Sequence, residues 1–206
     1  MKLIPIDGVI FDIGMVLLKF DFNLTVGKLK SRCRVPEKEI EKLFWETGLI
    51  QAYEVGKIST LDFAIGTAQA IQFSGPYEEL IEAWSDIFTP NLPMMQRARE
   101  WKRQGVSLYF LSNTCESHVD FFTQRYDIFE IFDGGIYSHI EGCAKPEPEI
   151  YRGLLGRYQL KPERTLFLDD RLENVEAARR MSIHAIQYID ENQIEAELCG
   201  YELPGC

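Results

Sequence analysis

The amino-acid sequence predicts an α/β protein, a parallel sheet flanked by helices with an inserted all-helical unit. Three observations predict this. Four short runs rich in β-branched and aromatic residues are continuously apolar, as strands buried on both faces are. Helix-like patterns separate the later runs, and strand–helix–strand repeats give parallel sheets. Residues 20–90 break that rhythm with helical stretches and no convincing strand.

Taken in order, "GVIFD" (8–12) reads as the first strand. The insertion follows with "VPEKEIEKLFWETG", "STLDFAIGTAQAI" and "PYEELIEAWSDIF", punctuated by "FSGP" and by "TPNLP", which marks the return to the core. Then come the helix "NLPMMQRAREWKRQG", the strand "VSLYFLS", and the helices "CESHVDFFTQRY" and "KPEPEIYRGLLGRY". The strand "TLFLDD", the helix "LENVEAARRMS" and the strand "HAIQYI" complete the pattern. This assigns residues 1–19 and 91–206 to the core and 20–90 to the insertion. The final "GYELPGC" reads as a loose or docked tail without catalytic consequence.

A chain of 206 residues suffices for one full core and a modest appendage. No segment approaches the roughly 18 unbroken apolar residues of a membrane span. "MKLIPIDG" lacks the features of a secretory signal, which predicts a cytoplasmic location and no membrane partner. A net charge of −10 repels polyanions, and the one basic cluster, "REWKRQG", reads as a solvated helix end, so no nucleic-acid partner is expected. The cysteines at 33, 115, 143, 199 and 206 are odd in number and scattered, which argues for reduced thiols and against a zinc site. Oligomeric state is not legible.

Ligands of an open parallel sheet bind beyond the carboxyl ends of its strands. There the sequence is polar each time: Asp12 after the first strand, Ser112 and Asn113 after the second, Asp169 and Asp170 after the third, with Lys145 ahead of a helix. Carboxylates, a cation and a hydroxyl–amide pair on one edge suit a hard cation, Mg²⁺, and a bound phosphate. Singly, each has a plainer reading as a cap or turn. Their order along the chain favours a site.

That order resembles the haloacid dehalogenase superfamily. "FDIGMVL", "YFLSNT", "AKPEPEIY" and "TLFLDDRLENVEAAR" look like its four motifs, with about a hundred residues between the first two, as in members with an inserted helical cap. Within it, the stretches most resemble bacterial glucose-1-phosphate phosphatases and the phosphatase domain of epoxide hydrolases. The resemblance implies a Rossmann-like core, a helical cap over it, and Mg²⁺-dependent hydrolysis of a small phosphate ester. It implies Asp12 as nucleophile, forming an aspartyl-phosphate. Asp12, the carbonyl of Gly14 and Asp170 would hold the metal. Ser112 and Asn113 would bind phosphoryl oxygens, and Lys145 would offset their charge and steady Asp12. Asp169 and Asn174 would act from behind these groups.

Most such phosphatases carry a second acid two residues after the nucleophile, where this chain has Gly14. Three readings stay open. One is a phosphatase whose leaving group needs little protonation, such as a sugar 1-phosphate (glucose 1-phosphate among them), or whose acid comes from the cap, with Asp21 and Glu54 as candidates. Another is a 2-haloacid dehalogenase, disfavoured by the retained Asp169 and Asp170. The third is a noncatalytic phosphate-ligand binding protein. His118, His139 and His184 lack ligand spacing and read as structural, as does Cys115, while Phe44, Trp45, Phe63, Trp84 and Phe88 read mostly as cap core.

Overall fold

The computed structural model describes residues 3–203, so Cys206 lies outside the described residues. A five-stranded parallel sheet forms the centre, built from β2 (Gly8–Phe11), β5 (Ser107–Ser112), β6 (Gly134–Tyr137), β7 (Thr165–Asp169) and β8 (His184–Gln187) in the order β6-β5-β2-β7-β8. Alternate residues of each strand enter opposite layers. Val9, Phe11, Leu108, Phe110, Leu166 and Leu168 join one buried cluster, whereas Ile10, Tyr109, Leu111 and Phe167 join another. Two-sided burial is why the strand sequences read as unbroken apolar runs.

Helices α6 (Leu92–Arg103), α7 (Glu116–Arg125) and α11 (Glu191–Leu198) supply side chains to the first layer, and α9 (Pro148–Tyr158) and α10 (Leu172–Arg180) to the second. The β6 strand was missed by sequence reading, because "GGIY" has little strand character. Its Gly135 is required by contact: a Cβ there would stand 2.2 Å from the Phe110 ring. The one-turn helix α8 (Ser138–Glu141) follows and carries His139. The tail is docked as far as it is described, since β9 (Tyr201–Glu202) pairs in parallel with β1 (Ile4–Pro5) and Leu203 is buried.

Between β2 and β5 the chain forms α1 (Asn23–Leu29), α2 (Glu37–Glu46), α3 (Leu49–Glu54), α4 (Thr60–Ala70) and α5 (Tyr77–Ser85). Ser59 and Asp62 close a reciprocal capping box at the start of α4. These helices pack around a third cluster, with Phe44, Phe63 and Trp84 buried. Each such ring contributes about 1.5–3 kcal/mol by leaving water. The expectation of an insertion without strands needs one correction. A short antiparallel ribbon, β3 (Leu18–Phe20) with β4 (Phe88–Pro90), joins it to the sheet, registering Phe20 against Phe88. Asn91 ties that junction down by donating its Nδ2 to the Val16 carbonyl. Among the described residues no helix is long and apolar enough to cross a membrane.

Candidate active site

The central strand β2 delivers Asp12 to the carboxyl edge of the sheet, and the flanking strands β5 and β7 deliver Ser112 and Asp169 beside it. Asp12 is buried, and its Oδ1 accepts from the Ile13 amide at 2.7 Å and from Lys145 Nζ at 2.9 Å. Lys145 Nζ also donates to Asp169 Oδ2 at 2.7 Å, with only 1% of the lysine side chain exposed. One buried cation therefore bridges two buried carboxylates.

Burial pushes the Asp12 carboxyl well above the carboxylate range, Lys145 pulls it down, and the charges of Asp169 and Asp170 raise it further. Burial works against the Lys145 charge, but Asp12 and Asp169 outweigh it and hold the ammonium above its usual range. Asp12 alone in this pocket resists ionisation; a further cation among the carboxylates would reverse that.

The two late acids differ in what they have left to offer. Asp169 is enclosed: Oδ1 accepts from the Arg171 amide and Asn174 Nδ2, and Oδ2 from Lys145 and Asn174. Asp170 is half-buried, faces the cavity, and makes no side-chain bond to another residue among those described. Burial raises its carboxyl, with help from the Asp169 charge. Oxygens of Asp12, Asp169 and Asp170 lie within 4.8 Å of one another.

Asn113 is bonded to the loop that carries Lys145. Its Oδ1 accepts from the Lys145 amide and its Nδ2 donates to the Lys145 carbonyl, both at 2.8 Å. The side chain clamps the lysine loop, leaving one amide hydrogen for a ligand. Ser112 is buried, lines the cavity, and has no side-chain hydrogen bond among the described residues.

A cavity of about 200 Å³ opens over Asp12, Gly14 and Asp170. Sequence reading missed much of its wall, including Arg171, Phe20, Phe22 and Thr114. Of the aromatics read mostly as cap core, Trp45 is 45% exposed and lines this cavity, because it lies beside Phe44 on the outer edge of the α2 buried stripe. His118 is buried against Trp84, ring centroids 4.6 Å apart, with Nε2 bonded to the Trp84 carbonyl; burial pushes it down to about 4. Cys115 lies in the cap cluster under Trp84 Nε1 and is pushed by burial up to about 11, an inert thiol.

The space at residue 14 is also accounted for. A Cβ there would stand 3.3 Å from the Phe20 ring, so an acid at residue 14 would need that half-exposed ring to give by a few tenths of an ångström. Glu54 ends α3 on the opposite, cap side of the same cavity. Its carboxylate makes no hydrogen bond or ion pair among the described residues, and burial raises it despite the nearby charges of His118, Arg171 and Lys145. Asp21, by contrast, is exposed and spends Oδ1 on Asn23 at the start of α1.

A profile of haloacid dehalogenase-like hydrolases matches residues 6–182. The chain belongs to that family. Among similar members is a sesquiterpene phosphatase of Aspergillus oryzae, 32% identical over 117 residues, covering 57% of this chain and 59% of that protein. A D-ribitol-5-phosphate phosphatase of Bacteroides thetaiotaomicron is 24% identical over 192 residues, covering 88% of this chain and 91% of that protein. This haloacid dehalogenase-like hydrolase thus spans less than two thirds of the first relative. A family enzyme of B. thetaiotaomicron, solved with magnesium and inorganic phosphate, shares the fold with a TM-score of 0.81 at 22% identity, covering 92% of this chain and 98% of that one.

Proposed function

We propose that the protein is a Mg²⁺-dependent phosphomonoester hydrolase working through an aspartyl-phosphate on Asp12. The observation that carries this reading is the unequal state of the two late acids. Asp169 is fully engaged in holding Lys145, while Asp170 is left free at the cavity beside Asp12 and Gly14. Oxygen donors of this kind fit a hard divalent cation. Magnesium held by Asp12, Asp170 and the Gly14 carbonyl would supply charge that offsets the repulsion between carboxylate and phosphate. Lys145 and the Ile13 amide orient the Asp12 carboxylate for attack on phosphorus. Ser112 and the remaining Asn113 amide hydrogen donate to the phosphoryl oxygens, and the Lys145 charge balances them. A free Asp170 favours this reading over a dehalogenase, which has no use for it. Phosphatases among the relatives support the same reaction, with leaving groups as unlike as a terpenoid and a polyol. Free thiols at all four described cysteines support a reducing compartment, the cytoplasm.

Glu54 takes the role that Gly14 cannot fill, protonating the leaving oxygen and then activating water. Its placement supports this. The Ser138 hydroxyl donates to the Glu54 carbonyl at 2.5 Å, and the Tyr53 hydroxyl accepts from the Ser117 amide, so two core elements fix the end of α3 over the site. With an acid present, the argument for a sugar 1-phosphate, which rests on a leaving group needing little protonation, loses its basis.

The test is phosphate release from p-nitrophenyl phosphate and a panel of esters, with Mg²⁺ or EDTA, in wild type and Asp12→Asn. Turnover that needs both metal and Asp12 supports the reading. Mg²⁺-dependent phosphate binding without turnover would shift it to a phosphate-binding protein.

A further inference from the structure

The cavity over Asp12 is divided by chemistry. Its floor, from the core, is polar: Asp12, Ser112, Asn113, Lys145 and Asp170. Its cap and hinge side is apolar: Phe20, Phe22, Trp45, Trp84, Ile87 and Phe88. Glu54 is the one charged side chain that residues 20–90 add to this wall among the described residues. The nearby His118 adds little, since its Nε2 is spent on the Trp84 carbonyl and its ring lies stacked on Trp84.

A polyol leaving group would bring several hydroxyls out of water, and each needs a partner there. The cap side of the cavity provides one carboxyl, already required at the ester oxygen, and the Trp45 indole N–H, while the core side adds Thr114 and an Arg171 guanidinium already paired with Glu173, few partners for a chain of hydroxyls. Aromatic faces also suit the C–H face of a sugar ring, so the shortage of polar partners decides between the two. Phe20 and Trp45 are 42% and 45% exposed, apolar surface that an apolar chain would cover with gain.

We infer that the alcohol half of the substrate is apolar, so that the protein hydrolyses alkyl-type phosphate monoesters in preference to sugar phosphates. The inference rests on the phosphatase reading above. The reaction balances simply: the P–O bond to the alcohol breaks, the alcohol leaves with a proton from Glu54, and water returns phosphate and Asp12.

Three measurements separate the outcomes: kcat/KM for acetyl phosphate, for n-alkyl phosphates of increasing length, and for glucose 1-phosphate and ribitol 5-phosphate, all with Mg²⁺. The expected result is a rise of about three- to fourfold per methylene over the first several carbons. The longer alkyl esters should exceed both sugar phosphates by more than about tenfold. Trp45→Ala should flatten the rise to under about twofold per methylene, and Trp45→Phe should restore most of it. Turnover of acetyl phosphate with a flat chain-length series, or with the sugar phosphates preferred, would overturn the apolar leaving group and leave the phosphatase standing. No turnover of any ester, acetyl phosphate included, would remove both.

Discussion

Replacing Lys145 by methionine removes the charge between Asp12 and Asp169 while keeping most of the side-chain volume. Lys145 Nζ lies 2.9 Å from Asp12 and 2.7 Å from Asp169, with the lysine and Asp169 side chains almost wholly out of water. At an effective dielectric near 20, each attraction is about 6 kcal/mol, much of it offset by the cost of burying three charges. Loss of one partner leaves two buried carboxylates uncompensated, and such losses cost about 3–5 kcal/mol. For a chain of this size that lowers Tm by roughly 6–20 °C. The sign with pH follows. Without the ammonium, burial holds Asp12 still further above its unfolded value, so the native variant binds more protons than the unfolded chain, and its stability falls as pH rises. Thermal melts at pH 5 and pH 8 therefore show the deficit shrinking at pH 5. Turnover should fall by at least about 10²-fold. A variant melting within about 2 °C of wild type at pH 8, or one whose deficit grows as pH falls, would refute the bridging role.

Glu54→Gln keeps the shape and removes the proton: kcat/KM for alkyl phosphates should drop by about 10²- to 10⁴-fold, with far less loss for p-nitrophenyl phosphate, whose leaving group needs no acid. Because Glu54 is raised by burial, wild-type activity on alkyl esters should fall as pH climbs through that raised value; the limb should vanish in the variant, and its persistence would point to another acid. Mg²⁺ at about 100 Kd should stabilise wild type by about 2.7 kcal/mol in thermal melts, an effect Asp170→Asn should largely abolish. Gly56 has a φ of +66° and a Cβ there would stand 2.2 Å from the His139 carbonyl, so Gly56→Ala should destabilise by ~1–3 kcal/mol and lower turnover; a neutral result would show that the α3 end shifts freely. Gly14→Asp with Phe20→Ala makes room for an acid beside Asp12, and it should rescue part of the Glu54→Gln loss in the same ester assay.

The polar residues of the floor were legible because topology alone brings strand ends together. Asp12, Ser112 and Asp169 follow apolar runs whose burial is written in their composition, and β2, β5 and β7 lie side by side. The clamp that Asn113 puts on the Lys145 loop was not legible, because an asparagine after a strand looks the same whether or not its side chain bonds a neighbouring loop. The β6 strand and the β3–β4 ribbon were hidden by glycine and proline, whose places depend on distant partners such as Phe110 and on pairing across about 70 residues. Cap aromatics defeated sequence reading for the same reason. Phe44 and Trp45 are neighbours of like character, yet one is buried and the other faces the cavity, a difference set by the orientation of α2 against its neighbours.

Gly14, Phe20 and Glu54 make one argument about where the proton comes from. An acid at residue 14 would sit on the core beside the nucleophile, and its position would not depend on the helices above. Phe20 crowds that position, adding to the apolar wall, and Glu54 approaches from the cap. On the function proposed above, the nucleophile and its lysine belong to one layer of the molecule and the proton donor to another. Their alignment rests on contacts across the junction: Ser138 on the Glu54 carbonyl, Tyr53 under the Ser117 amide, and Gly56 against His139. On that reading, leaving-group protonation depends on these contacts holding Glu54 over the site. With the apolar alcohol inferred above, binding energy from the remote chain would help to hold Glu54 where the proton is needed and so tie bond cleavage to the presence of the right alcohol.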